Sequence, residues 1–104
     1  MLNLLRLEAE VGYRIDTPLP RQAIFDLIAS RAAVEEAELN EVFNLGCGFC
    51  CVVPAGQADD ALRMLGEHHP GAAVIGEVTD VAGVVELPGV GLVGRRDQGF
   101  APSA

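Results

Sequence analysis

The sequence predicts an α+β domain in which helices cover a mixed sheet, with elements in the order β-α-α-β-α-β-β. Three observations predict it. Val11 to Asp16 alternates apolar and polar residues, the period of a half-buried strand. Two stretches, around Ile24 and around Leu39, repeat apolar residues at i, i+3 and i+4, the period of an amphipathic helix. Between the second of these and a third helical pattern lies the apolar run from Phe49 to Val53, the composition of a strand buried on both faces.

In chain order, Met1 to Leu7 is apolar and interrupted by Arg6, which predicts an extended lead-in. The strand at Val11–Asp16 stops at Thr17-Pro18-Leu19-Pro20, because neither proline can donate a backbone hydrogen bond. From Arg21 to Ser30, Ile24, Leu27 and Ile28 share one helix face and Phe25 widens it, so a core-packing helix is expected. After a break at Ser30 to Ala33, the segment Val34 to Phe43 repeats the pattern with Leu39, Val42 and Phe43. Its acids Glu35, Glu36 and Glu38 crowd the first turns, where the helix dipole favours negative charge and solvent covers them.

That helix passes through Asn44-Leu45-Gly46-Cys47-Gly48 into the expected central strand. Gly46 and Gly48 lack a Cβ, so the backbone can take left-handed angles and a ligand can approach the peptide N–H groups. Asn44 adds an amide at the mouth of the loop. The combination suits a phosphate or an amide-bearing ligand. It equally suits a helix stop that only lets the strand begin beneath another element. It is not a dinucleotide fingerprint, which needs a third glycine and runs from strand to helix.

Pro54-Ala55-Gly56 then opens a third helix with Ala58, Ala61, Leu62 and Leu65 on its apolar side and Gly66 at its end. His68 and His69 follow as surface groups at the helix exit. Ala72–Val78 and Val84–Leu87 read as two strands in a hairpin-like pair, joined by a turn over Thr79 to Gly83. The remainder, 88–104, is a glycine-rich tail with a short edge strand near Leu92 and Val93 and partly disordered last residues.

At 104 residues the chain has room for a single domain over 1–104. Half of it is hydrophobic and only five residues are aromatic, so the core rests on Val, Leu, Ile and Ala. The net charge of −8 argues against nucleic acid or an anionic membrane as partner. There is no lysine, which excludes a P-loop lysine or a Schiff base, and Ser30 and Ser103, the two serines, sit in no nucleophile elbow. No apolar run reaches the roughly 18 residues of a spanning helix, and a cytoplasmic protein is expected.

Cys47, Cys50 and Cys51 fall within five positions. On an extended strand Cys47 and Cys51 share a face and Cys50 points the other way, so free thiols packed as small hydrophobes are expected, not a local disulfide. The Cys47–Cys50 spacing with His68 and His69 downstream leaves a zinc site as the alternative. No metal site and no catalytic residue is assigned.

One resemblance covers most of the chain. Asn3-Leu4-Leu5-Arg6-Leu7, Ile15-Asp16, Ile24-Phe25, Glu38, Val42-Phe43-Asn44-x-Gly46-x-Gly48-Phe49, Val52-Val53-Pro54, Ala61-Leu62 and Ile75-Gly76-Glu77-Val78 occur in that order. From Leu2 to about Leu87 they resemble the C-terminal domain of the aminoimidazole ribonucleotide (AIR) synthetases, the PurM or phosphoribosylformylglycinamidine cyclo-ligase family of purine biosynthesis. Thiamine-monophosphate kinase, selenophosphate synthetase and a hydrogenase-maturation protein belong to the same superfamily. The resemblance implies a three-layer α/β/α domain that pairs with an N-terminal ATP-binding domain. Such an enzyme phosphorylates an amide oxygen with ATP and then closes an imidazole ring.

Carried to this sequence, the resemblance nominates Asn44, Gly46 and Gly48 as substrate-binding positions facing a phosphate or amide. Leu45 departs from the family's usual methionine, and the three cysteines replace other small or aliphatic residues. The phosphate cradle and metal-binding carboxylates that ATP and Mg²⁺ require are not assembled by this chain, so those cofactors are implied only for an ATP-binding half. The expectation is a stand-alone or truncated C-terminal domain, inactive alone and partnered by that half in trans or by a second copy. The alternative is a non-enzymatic module of the same fold that binds a small phosphorylated metabolite or ribonucleotide, or that dimerises.

Overall fold

In a computed structural model, residues 1–103 are described, and they form an α+β fold around one mixed five-stranded sheet. The strands are β1 (Gly12–Arg14), β2 (Glu77–Thr79), β3 (Val84–Leu87), β4 (Leu92–Arg95) and β5 (Gly99–Pro102). The helices are α1 (Ala23–Ala32), α2 (Glu36–Val42) and α3 (Ala58–Gly66). The strand order is β2-β1-β3-β4-β5. β1 runs antiparallel to β2 and parallel to β3, while β3, β4 and β5 form an antiparallel meander.

The alternating stretch at Val11–Asp16 places β1 where expected. Its ladder continues past Arg14, because the Ile15 N–H donates to the Glu86 carbonyl at 2.9 Å and the Thr17 N–H to the Ile75 carbonyl at 3.0 Å. Tyr13, Ile15, Val85, Leu87, Leu92 and Phe100 turn inward from the sheet, and Leu5 closes the cluster. α2 packs against this cluster through Ala37, and its Leu39 is completely buried. The Phe100 N–H donates to Glu41 Oε1 at 2.6 Å, fixing the same helix to β5.

Five expectations change. Leu2–Leu7 is a 3₁₀ helix, not an extended lead-in; it buries Leu5 against the sheet, and the Arg96 guanidinium donates to the Leu5 carbonyl. The 88–104 tail is not frayed over its described part. It supplies β4, where an edge strand was expected but which is paired on both sides, and β5, because Leu92 and Phe100 complete the core. Ala72–Val78 and Val84–Leu87 do not form a hairpin: β2 is confined to Glu77–Thr79, and β1 lies between β2 and β3. Gly76 crosses so close to the Arg14 carbonyl that a side chain there would overlap it.

α1 is not a core helix, since none of its residues is buried and Leu27 is 49% exposed. It leans on α2, with Phe25 and Phe43 rings 5.6 Å apart and tilted by 53°. Arg21 bridges the two helix starts, reaching Glu36 Oε1 at 3.0 Å and Asp26 Oδ1 at 3.3 Å. These pairs are partly exposed and contribute little.

The largest correction concerns the apolar run. Phe49 to Val53 is not a strand and is not buried: Phe49 is 86% exposed, and Val52 and Val53 are exposed as well. A strand needs a neighbour to accept its N–H groups. Both sides of β1, β3 and β4 are already paired, and the run lies along neither outer edge strand.

Candidate functional site

The loop after α2 is a tight turn. Leu45 and Gly46 both take positive φ, 53° and 97°, and the Cys47 N–H donates to the Asn44 carbonyl at 3.0 Å. Two successive left-handed central residues closed by that bond define a type I′ turn. The Asn44 side chain reinforces it, as Oδ1 accepts the Gly46 N–H at 2.9 Å. Leu45 is an unusual occupant, because a branched side chain disfavours left-handed angles.

The three nominated residues occupy different situations within this turn. Gly46 is packed: a Cβ there would lie 2.8 Å from the Pro20 carbonyl and 3.0 Å from Gln22 Oε1. Its own N–H is taken by Asn44. Gly48 is open, with the Asn44 Nδ2 alone near the position of its absent Cβ, at 3.6 Å. Asn44 and Gly48 are both exposed. The turn thus leaves two neighbouring donors, the Asn44 carboxamide NH₂ and the Gly48 N–H, to which no group among the described residues accepts. Paired N–H donors at one surface suit an anionic or carbonyl oxygen.

Beside the turn runs an open groove of about 1090 Å³. Tyr13 and Ile15 of the sheet line it, as do the uncovered Phe49–Val53 segment and the apolar side of α3, with Ala61, Leu62 and Leu65. The helical stripe on α3 was legible in the sequence. That it faces an open groove instead of the core was not.

Sequence reasoning missed the convergence of two thiols. Because the strand that would separate them does not form, Cys47 Sγ and Cys50 Sγ lie 3.6 Å apart at this groove. The signal was the Cys-x-x-Cys spacing itself. Burial, then the hydrogen bond to Cys50 and the charge of that neighbour, push the Cys47 thiol up to about 11, against the opposing pull of the Met1 ammonium. Cys51 is exposed, and all three cysteines are free. His68 and His69 line the same groove, yet among the described residues no three His, Cys, Asp or Glu side chains gather as a metal site.

The family described as AIR synthase related protein, C-terminal domain, matches residues 3–87. A phosphoribosylformylglycinamidine cyclo-ligase of Methanothermobacter thermautotrophicus is 48% identical over 86 residues, covering 82% of this chain and 24% of the relative. Those of Methanococcus maripaludis and Methanopyrus kandleri are 36% and 32% identical over 87 and 83 residues, covering 84% and 80% of this chain and 24% of each relative. The chain therefore spans about a quarter of the length of these relatives. No solved structure matches. Among the described residues, no helix is long and apolar enough to cross a membrane.

Proposed function

Because this chain belongs to the AIR synthase related protein C-terminal domain family, we propose that it is the substrate-side portion of an ATP-dependent cyclo-ligase of purine biosynthesis. It holds a phosphorylated ribonucleotide and does not turn over alone. The observation that carries the reading is the pair of free donors at Asn44 and Gly48, whose neighbours Cys47 and Phe49 line the groove although the two donor residues themselves do not. Asn44 Oδ1 is used internally, which orients the carboxamide so that its Nδ2 lies near Gly48, 3.6 Å from the position of the absent Cβ. Two neutral donors on a rigid turn bind a phosphate or amide oxygen without requiring a lysine, which the chain lacks. Gly46 contributes by closing the turn against Pro20 and Gln22.

ATP and Mg²⁺ belong, in this reading, to an ATP-binding half, and the protein works in the cytoplasm. Transfer of a phosphoryl group from ATP needs clustered carboxylates to hold the metal and donors around the polyphosphate. This chain's contribution is to bind and orient the acceptor. The uncovered apolar groove favours a second reading, in which the same fold serves as a metabolite-binding or homodimerising module with no part in catalysis.

One assay separates the two. The purified chain is incubated with ATP, Mg²⁺ and formylglycinamidine ribonucleotide, alone and with the ATP-binding half of a cyclo-ligase. No turnover alone and product formation in the mixture is the expected result. Turnover by the chain alone would overturn the division of labour, and binding without turnover in the mixture favours the non-catalytic module.

A further inference from the structure

The Cys47–Cys50 pair is not used by the proposed ligand site, and its geometry stands apart from that reading. The two sulfurs are 3.6 Å apart, one buried and the other partly open. Between them lie Gly48 and Phe49, neither in a helix nor in a strand. A disulfide needs its sulfurs at about 2.05 Å, so closure calls for an approach of roughly 1.5 Å. The space around Gly48 leaves room for the connecting backbone to shift. Both thiols open onto the groove, wide enough to admit a small disulfide.

We propose that Cys47 and Cys50 are a redox dithiol site, closing to an intramolecular disulfide by exchange with a low-molecular-weight disulfide of the glutathione class. Cys50, the more open of the two, attacks as its thiolate on one sulfur of the small disulfide. That S–S bond breaks, and the departing thiolate takes up a proton. Cys47 then gives up its proton and attacks Cys50 Sγ in the mixed disulfide, and the second small thiol leaves with that proton. Two protein thiols are oxidised and one small disulfide is reduced to two thiols. The roles follow from burial: the Cys47 thiol holds its proton well past neutral pH, which suits the resolving position and not the attacking one. Closure would join the last residue of the type I′ turn to the segment beyond Gly48, so the oxidised form restrains the Gly48 amide.

The test uses the full chain, reduced and then equilibrated with mixtures of oxidised and reduced glutathione, acid-quenched, blocked with maleimide and mapped by mass spectrometry. The expected product has lost two hydrogens, carries one blocked thiol at Cys51 where the reduced chain has three, and fragments as a Cys47–Cys50 bridge. Cys51→Ser keeps the bridge, while Cys47→Ser accumulates the glutathione adduct on Cys50. In the oxidised chain the Gly48 amide resonance is expected to shift. An adduct that persists on Cys50 of the unmodified chain, a Cys50–Cys51 bridge, or crosslinked dimers through Cys51 would overturn the proposal. Because Cys51 is exposed, Cys51→Ser keeps the test valid even if Cys47→Ser does not fold. None of these outcomes depends on whether a ribonucleotide binds.

Discussion

Leu39→Ala is expected to lower the stability of the protein by about 3 kcal/mol, within the range seen when a fully buried leucine is truncated and its cavity only partly collapses. Leu39 has no exposed surface and is the one buried residue of α2. The same helix is held to β5 through Glu41 and leads directly into the Asn44 turn. Loss of Leu39 therefore loosens both the lid of the core and the base of the candidate site. Urea denaturation followed by circular dichroism measures the change. The informative control is Leu27→Ala, on the corresponding apolar face of α1 but about half exposed, for which a cost under about 1 kcal/mol is expected. Equal costs at the two positions would contradict the packing described for these helices.

Gly46→Ala is expected to destabilise by roughly 2 kcal/mol or more, whereas Gly48→Ala is close to neutral in stability. At Gly46 a side chain meets both a left-handed φ of 97° and two oxygen atoms, one of them the backbone carbonyl of Pro20, which cannot swing aside as a side chain can. At Gly48 the backbone is not left-handed, and the added Cβ has only ordinary contact with Asn44 Nδ2. Thermal unfolding of the two variants checks the contrast. The two glycines, one residue apart in sequence, thus do different things: Gly46 makes the turn possible, and Gly48 leaves the space beside it open.

That division was only half legible in the sequence. Asn44 followed by Gly46 predicts a turn, because asparagine and glycine both tolerate the required angles. A type I′ turn with leucine at its first central position could not be read from composition, since Leu45 adopts a conformation its residue type disfavours. β3 matched the expected span, Val84–Leu87, because β-branched residues bounded by glycine and proline carry a strong local signal. The Phe49–Val53 run carried the same kind of signal and gave no strand. Pairing is supplied by a neighbour, and a sequence window does not contain its neighbour. For the same reason the apolar faces of α1 and α3 were recognisable while their exposure was not, as periodicity says which side is apolar but not what covers it. The thiols followed from this error: placed on a strand they diverge, and on the loop that forms they meet.

The central claim is that the Asn44–Gly48 turn presents two free donors to a ligand oxygen, and amide chemical shifts report on it directly. The ¹⁵N-labelled chain is titrated with formylglycinamidine ribonucleotide, with inorganic phosphate as a second probe, and Gly48→Ala is run in parallel. The account predicts saturable shifts of the Gly48 backbone amide and the Asn44 side-chain amide, with affinity weakened about tenfold because the added methyl group, lying beside Asn44 Nδ2, crowds an oxygen approaching the two donors while leaving the Gly48 N–H itself in place. A folded chain in which neither resonance moves at saturating ribonucleotide, or in which Gly48→Ala binds as tightly as the unmodified chain, would contradict it.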